Sequence, residues 1–216
     1  MPSTPAPALP VTLCSHPLLQ AGLARLRDRR TACDEFRRHL REMSLLLFIE
    51  ASRDLETESV PVTTPLEPTT GRVLARPIVL VPILRAGLGM VDGIWPLVPT
   101  AQLAHIGIYR DEATALPHPY YSKFGPGLAT GEVFLLDPML ATGRSAIEAV
   151  NQLKTQGVQR LRFICLVAAP DGLGAFQAAH PDVPVFTSAV DLRLNEESYI
   201  VPGLGDAGDR YFGTVV

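Results

Sequence analysis

The chain has few of the residues that would mark a secreted, metal-binding or nucleic-acid-coating protein. Its three cysteines, Cys14, Cys33 and Cys165, are odd in number and far apart. They fit neither a disulfide framework nor a ligand spacing and read as free thiols of a reducing compartment. Five histidines (His16, His39, His105, His118 and His180) show no metal-ligand spacing. A dense Lys/Arg block is also missing: 19 basic against 22 acidic side chains leave a net charge of -3 and a pI of about 5.9. That balance speaks against coating nucleic acid or an anionic membrane. The most apolar stretch, Val73 to Leu84, carries Arg76, Pro77 and Pro82 and is too short to span a bilayer. Residues 1–10 have neither the basic nor the apolar region of a signal peptide and are expected to form a short, poorly ordered tail. The sum of these absences is a soluble, cytoplasmic protein.

What is present is globular: 47% hydrophobic and 19% charged over 216 residues, enough to bury one core from residue 11 to 216. Helices are expected at Pro17–Arg29 and at Thr31–Leu55, the second opening on a Thr31/Asp34 capping box and burying Phe36, Leu40, Met43 and Leu47. Val60–Arg72, rich in proline and β-branched residues, reads as an extended arm or hairpin. From residue 77 onward, short apolar strands (Pro77–Ile83, Gln102–Tyr109, Glu132–Leu136, Leu161–Ala168, Val183–Ala189) alternate with helices at Gly87–Leu97, Ala146–Gln156 and Leu173–Ala179. This is the pattern of an α/β fold with a parallel sheet covered on both faces. In such sheets ligands sit at the carboxyl ends of the strands. Ala113–Thr130 is a long, aperiodic stretch expected to be a functional loop.

One strand-to-helix junction stands out: Asp137-Pro138-Met139-Leu140-Ala141-Thr142-Gly143-Arg144-Ser145. Unpaired N–H groups and the helix dipole suit a phosphate there, Thr142 and Ser145 add hydroxyls, and Gly143 allows close backbone approach. Asp137 is placed to accept hydrogen bonds from vicinal sugar hydroxyls. The plainer alternative is an ordinary junction in which Thr142 or Ser145 caps the helix. The spacing is neither a Walker loop nor a dinucleotide fingerprint. Arg85 and Arg110 end neighbouring strands; each is either an anion ligand or a solvated strand end, Arg110 with Asp111 or Glu112 as an ion-pair partner.

The Asp137–Ser145 stretch resembles the phosphoribosyl-pyrophosphate loop of type I phosphoribosyltransferases. Val81–Met90, Ile108–Glu112, Val167–Pro170 and Tyr199–Thr214 resemble the uracil phosphoribosyltransferase branch, over roughly residues 10 to 214 and in the same order. Two positions depart from the wider pattern. Arg144 stands where the loop usually has Gly, and Pro138 follows Asp137 where the superfamily often has a second acid.

The resemblance implies a type I phosphoribosyltransferase fold with N-terminal helices, a β-arm at about 60–72, a flap at about 111–130 and a base-binding segment at about 191–214. It implies phosphoribosyl pyrophosphate on Arg85, Arg110, Asp137–Ser145 and Asp206. It places uracil on Tyr199, Ile200, Gly205, Asp206 and Ala207, with Tyr121 and Lys123 on the flap. The reaction implied is uracil plus phosphoribosyl pyrophosphate to UMP plus pyrophosphate. Mg²⁺ would arrive on the substrate with no direct protein ligand, GTP is a candidate effector, and a homodimer or larger homo-oligomer is expected. Two rival readings go with it: a transferase for another base, and an RNA-binding pyrimidine-operon regulator on the same fold, which the acidic balance disfavours.

Overall fold

A computed structural model describes residues 11–110 and 117–214 of the chain, with the side chains of Arg110 and Pro117 outside the description. Six helices occur among these residues: α1 (Pro17–Arg27), α2 (Cys33–Ala51), α3 (Leu88–Ile94), α4 (Arg144–Thr155), α5 (Pro170–Ala179) and α6 (Ala207–Phe212). The main sheet runs in the order Val11–Leu13, Val185–Thr187, Leu161–Ile164, Glu132–Leu136, Ile78–Leu84, His105–Arg110, Pro117–Lys123, with Gln102–Leu103 also paired to Ile78–Leu84. Every pairing is parallel except the last, where Pro117–Lys123 returns antiparallel to His105–Arg110.

The central strands Ile78–Leu84 and Glu132–Leu136 are apolar at successive positions, the entry residue Glu132 excepted, because both faces are covered. Ile78, Leu80, Phe134 and Leu136 pack into one core with α1, α2, α3 and α6. Val79, Val81, Ile83, Val133 and Leu135 pack into the other with α4 and α5. Alternation along a pleated strand divides these residues between the two cores. Helix α2 contributes Phe36, Leu40, Met43 and Leu47, all essentially inaccessible to water. Each such side chain contributes on the order of 1.5–3 kcal/mol.

Several expectations change in detail. The Thr31/Asp34 capping box does not form: α2 starts from Ala32 without a side-chain cap, and Thr31 Oγ1 instead donates to Arg25 O at 2.6 Å, closing the end of α1. The long strands are interrupted. Leu161–Ala168 divides at Cys165–Leu166, and Val183–Ala189 narrows to Val185–Thr187 with Ala189–Val190 beyond it. The outer pieces Met139–Leu140, Val167–Ala168 and Ala189–Val190 form their own three-stranded parallel sheet, a step past the ends of the main one. The stretch expected as a loop after residue 113 holds a strand, Pro117–Lys123; residues 111–116 lie outside the described residues. The proline-rich arm is a regular hairpin, Thr57–Thr63 against Pro68–Leu74, with Leu66 at its tip 95% exposed.

Candidate functional site

The strand Glu132–Leu136 is buried at every residue and delivers Asp137 to the carboxyl edge of the sheet, where its N–H bonds Ile164 O at 3.2 Å. The chain then makes the short Met139–Leu140 strand, turns, and enters α4. The turn is set by backbone packing. A methyl group on Gly172 would lie 2.2 Å from Ala141 O, and one on Gly143 2.8 Å from Gly172 O, so loop and α5 meet main chain to main chain. Gly143 is the N-cap residue at φ 80°, a left-handed conformation that glycine takes at no steric cost.

The N-terminus of α4 carries no side-chain cap. The N-cap position is Gly143 and neither Thr142 nor Ser145 caps the helix with its side chain, an arrangement that suits an anion at the start of α4. Arg144 is the first residue of α4, exposed, with an ordinary negative φ. The left-handed residue of the loop is Gly143, so Arg at 144 meets no backbone constraint that only Gly would satisfy.

Around this loop lies a cavity of about 660 Å³. It gathers Arg85, Asp137, Met139–Ser145, Tyr199, Asp206 and Ala207 on one surface. Stretches separated by as much as half the chain thus meet in one cleft. Arg85 follows a cis Leu84–Arg85 bond; its guanidinium is 3.4 Å from Asp209 Oδ1 and lies over the Phe212 ring. Asp206 accepts a hydrogen bond from Asp209 N at 2.8 Å and caps α6. Tyr199 is 41% exposed, its N–H held by Asn195 Oδ1 at 2.8 Å.

Asp137 has the most perturbed carboxyl in the cleft. It lines the cavity half-buried, and desolvation by the surrounding protein pushes its pKa up to about 7. The Met139 N–H bonded to it opposes the rise, and the nearby Asp206 charge adds to it. A carboxyl poised there accepts hydrogen bonds better as soon as donors replace water around it.

Other sequence-predicted residues lie off the cleft wall. Pro138 is buried, its carbonyl accepting from Leu166 N and Val167 N. Ile200 is buried behind Tyr199, and Gly205, at φ 77°, lines a separate cleft on the reverse of the same turn. Arg110 ends its strand at the carboxyl edge, but its side chain, with Asp111 and Glu112, is outside the described residues. Tyr121 pairs with Gly107 and Lys123 with His105, which puts Lys123 at the amino end of that strand, away from the cleft. Sequence reasoning missed Ala86, Ala146, Glu197, Ser198 and Gly208, which also line the cavity. Asn195 was the available signal: its side chain accepts from Glu197 N and Tyr199 N, an Asx-type turn that brings Glu197 and Ser198 over the site. Among the described residues no group of three or more His, Cys, Asp or Glu stands close enough to hold a metal.

Comparison with known proteins gives the family. Residues 13–214 match the family model for uracil phosphoribosyltransferase. The uracil phosphoribosyltransferase of Ligilactobacillus salivarius is 52% identical over 200 residues, covering 92% of this chain and 96% of that protein. That of Brucella anthropi is 51% identical over 205 residues, covering 94% and 99%. A solved protein of Aquifex aeolicus superposes with a TM-score of 0.92 at 36% identity, over 96% of this chain and all of that one. An adenine phosphoribosyltransferase from Trypanosoma brucei, 16% identical with a TM-score of 0.50 over 76% of this chain and 68% of its own, shares the fold alone. On the strength of a match from residue 13 to 214, this chain belongs to the uracil phosphoribosyltransferase family.

Proposed function

We propose that this chain transfers the phosphoribosyl group of phosphoribosyl pyrophosphate to uracil, forming UMP and pyrophosphate. The observation that carries the reading is the single cleft in which the uncapped α4 loop faces the Tyr199–Ala207 segment. The 5-phosphate sits on the loop amides with Thr142 and Ser145, and Asp137 accepts from the ribose hydroxyls. Arg85 and Arg110 take the pyrophosphate bidentately. Arg85 exchanges its Asp209 contact for the substrate.

Across the cleft, uracil is read by main-chain groups of the Tyr199–Ala207 segment, with Ala207 on the cleft wall and Ile200 and Gly205 reaching it from behind, Tyr199 shielding the ring and Asp206 between base and ribose. Cytosine offers a donor where uracil offers an acceptor, which leaves buried groups unpaired. As the C1–O bond breaks, its electron pair leaves with pyrophosphate, N1 of uracil attacks C1 from the opposite face, and the N1 proton passes to the departing pyrophosphate. The residues align the partners, stabilise pyrophosphate and exclude water. Mg²⁺ would arrive bound to the substrate, held largely through waters, and would neutralise pyrophosphate charge.

Offering uracil, cytosine, hypoxanthine and adenine side by side and following phosphoribosyl pyrophosphate consumption tests this, with uracil expected as the best substrate. Preference for any other base overturns the specificity; the same assay with GTP added reports whether GTP is an effector. The RNA-binding reading finds no support in relatives that are named as enzymes. The reading includes a cytoplasmic homodimer built on the Thr57–Leu74 hairpin, supported by its exposed Val62, Leu66, Val73 and Leu74. No described helix is long and apolar enough to cross a membrane.

A further inference from the structure

Behind the base-binding turn, on the side away from the cleft, lies a closed set of hydrogen bonds. Arg27, the last residue of α1, donates to Asp191 through both nitrogens, Nη1 to Oδ2 at 2.7 Å and Nη2 to Oδ1 at 2.5 Å. The same Nη1 donates to Gly203 O at 2.7 Å, and Gly203 N donates to Asp191 Oδ2 at 2.8 Å. Both polar groups of Gly203 are therefore held by one ion pair. Asp191 is 8% exposed and tied to the sheet through its N–H to Ala168 O at 2.8 Å. Gly203, at φ 58°, folds back so tightly that a methyl group there would lie 2.1 Å from Ile200 O. Nearby, Arg210 binds the carbonyls of Leu26, Asp28 and Leu204 from above the Phe36 ring.

An ion pair with one partner this buried is a poor stabiliser, because desolvating its charges offsets most of their attraction and an apolar pair of similar size does as well. What it does supply is geometry: a bidentate guanidinium–carboxylate pair has one good arrangement. Here that arrangement fixes the peptide between Ile200 on one side and Gly205 and Ala207 on the other, whose main chain reads the base under the proposed function. We propose that Arg27 and Asp191 are positioning residues for base recognition: the pair holds the Gly203 peptide, and so sets the spacing of the uracil-reading amides without touching the substrate.

The inference rests on the proposed function, and kinetics separate the two. Asp191→Asn is expected to raise KM for uracil at least tenfold, with KM for phosphoribosyl pyrophosphate within twofold of the native value. Arg27→Lys, which keeps the charge but loses the fork, is expected to raise the uracil KM by a smaller factor. The double variant Arg27→Met, Asp191→Leu leaves no lone buried charge yet releases Gly203, and is expected to match Asp191→Asn. Thermal melts confirm that each variant is folded at the assay temperature; if the double variant is not, Arg27→Lys decides. A folded variant with the native uracil KM, or with both KM values raised alike, overturns the proposal alone. A native enzyme that does not use uracil overturns the functional reading and this proposal with it.

Discussion

At the scale of single residues, Asp137 ties stability to activity. Its folded pKa, about 7, lies above the ordinary 3.8. Ionising it therefore opposes folding, a cost absent below pH 4 that grows as pH rises and is complete above about 7. Asp137→Asn is expected to raise Tm at pH 8, by about 2–4 °C for each kcal/mol recovered, and to leave it unchanged near pH 3.5. Activity should move the opposite way. With ribose hydroxyls as donors the ionised carboxylate is the better partner, so native KM for phosphoribosyl pyrophosphate should rise as pH falls through about 7. In the Asn variant that KM should be high and flat with pH. Arg144→Gly tests the departure in the loop. Since Gly143 already supplies the left-handed residue, Tm should fall by only a few °C, from lost helix propensity of up to about 1 kcal/mol. KM for phosphoribosyl pyrophosphate should rise several-fold as a cation leaves the phosphate end. Arg144, Asp137 and Thr142 were all legible in the sequence, because they sit in nine consecutive residues. The Arg27–Asp191 pair was not, since 164 positions separate its members and nothing local marks either one.

At the scale of elements, the phosphate loop depends on α5 as much as on α4. Gly172→Ala places a methyl group 2.2 Å from Ala141 O, against backbone that cannot rotate aside. Destabilisation of about 1–3 kcal/mol is expected. Displacement of the loop should also raise KM for phosphoribosyl pyrophosphate more than KM for uracil, which steady-state kinetics with each substrate varied would show. Elements with strong periodicity were readable: α2 buries the four side chains its spacing named, and Glu132–Leu136 keeps its bounds. Their ends were less so. The Thr31 hydroxyl prefers the last carbonyls of α1 to the first amides of α2, a competition between two helices that one segment's sequence cannot show. The strand breaks near Pro138, Cys165 and Ser188 arise because the sheet steps at its carboxyl edge in three adjacent strands at once. The antiparallel Pro117–Lys123 strand escaped notice because its prolines read as loop, yet it pairs at the sheet's edge, where proline is tolerated.

At the scale of the whole molecule, the fold class was visible because strands such as Ile78–Leu84 and Val133–Leu136 are apolar at successive positions, as a sheet covered on both faces requires. Assembly is the property left to test. The hairpin Thr57–Leu74 presents exposed Val62, Leu66, Val73 and Leu74. Leu66→Glu with Val73→Glu should convert a dimer into a slower-eluting monomer in size-exclusion chromatography, with the hairpin itself intact by circular dichroism. Elution at the native position would remove the hairpin from the interface.

The proposed backbone reading of the base bears on attempts to redirect this enzyme. A pocket whose discrimination lies in peptide groups offers no side chain to exchange, so libraries confined to residues around the cleft would vary shape and charge while leaving the hydrogen-bond code intact. New base preferences would have to come from altering the course of the chain between Val201 and Asp206. The two side chains that hold that course, at positions 27 and 191, are where such a search would begin.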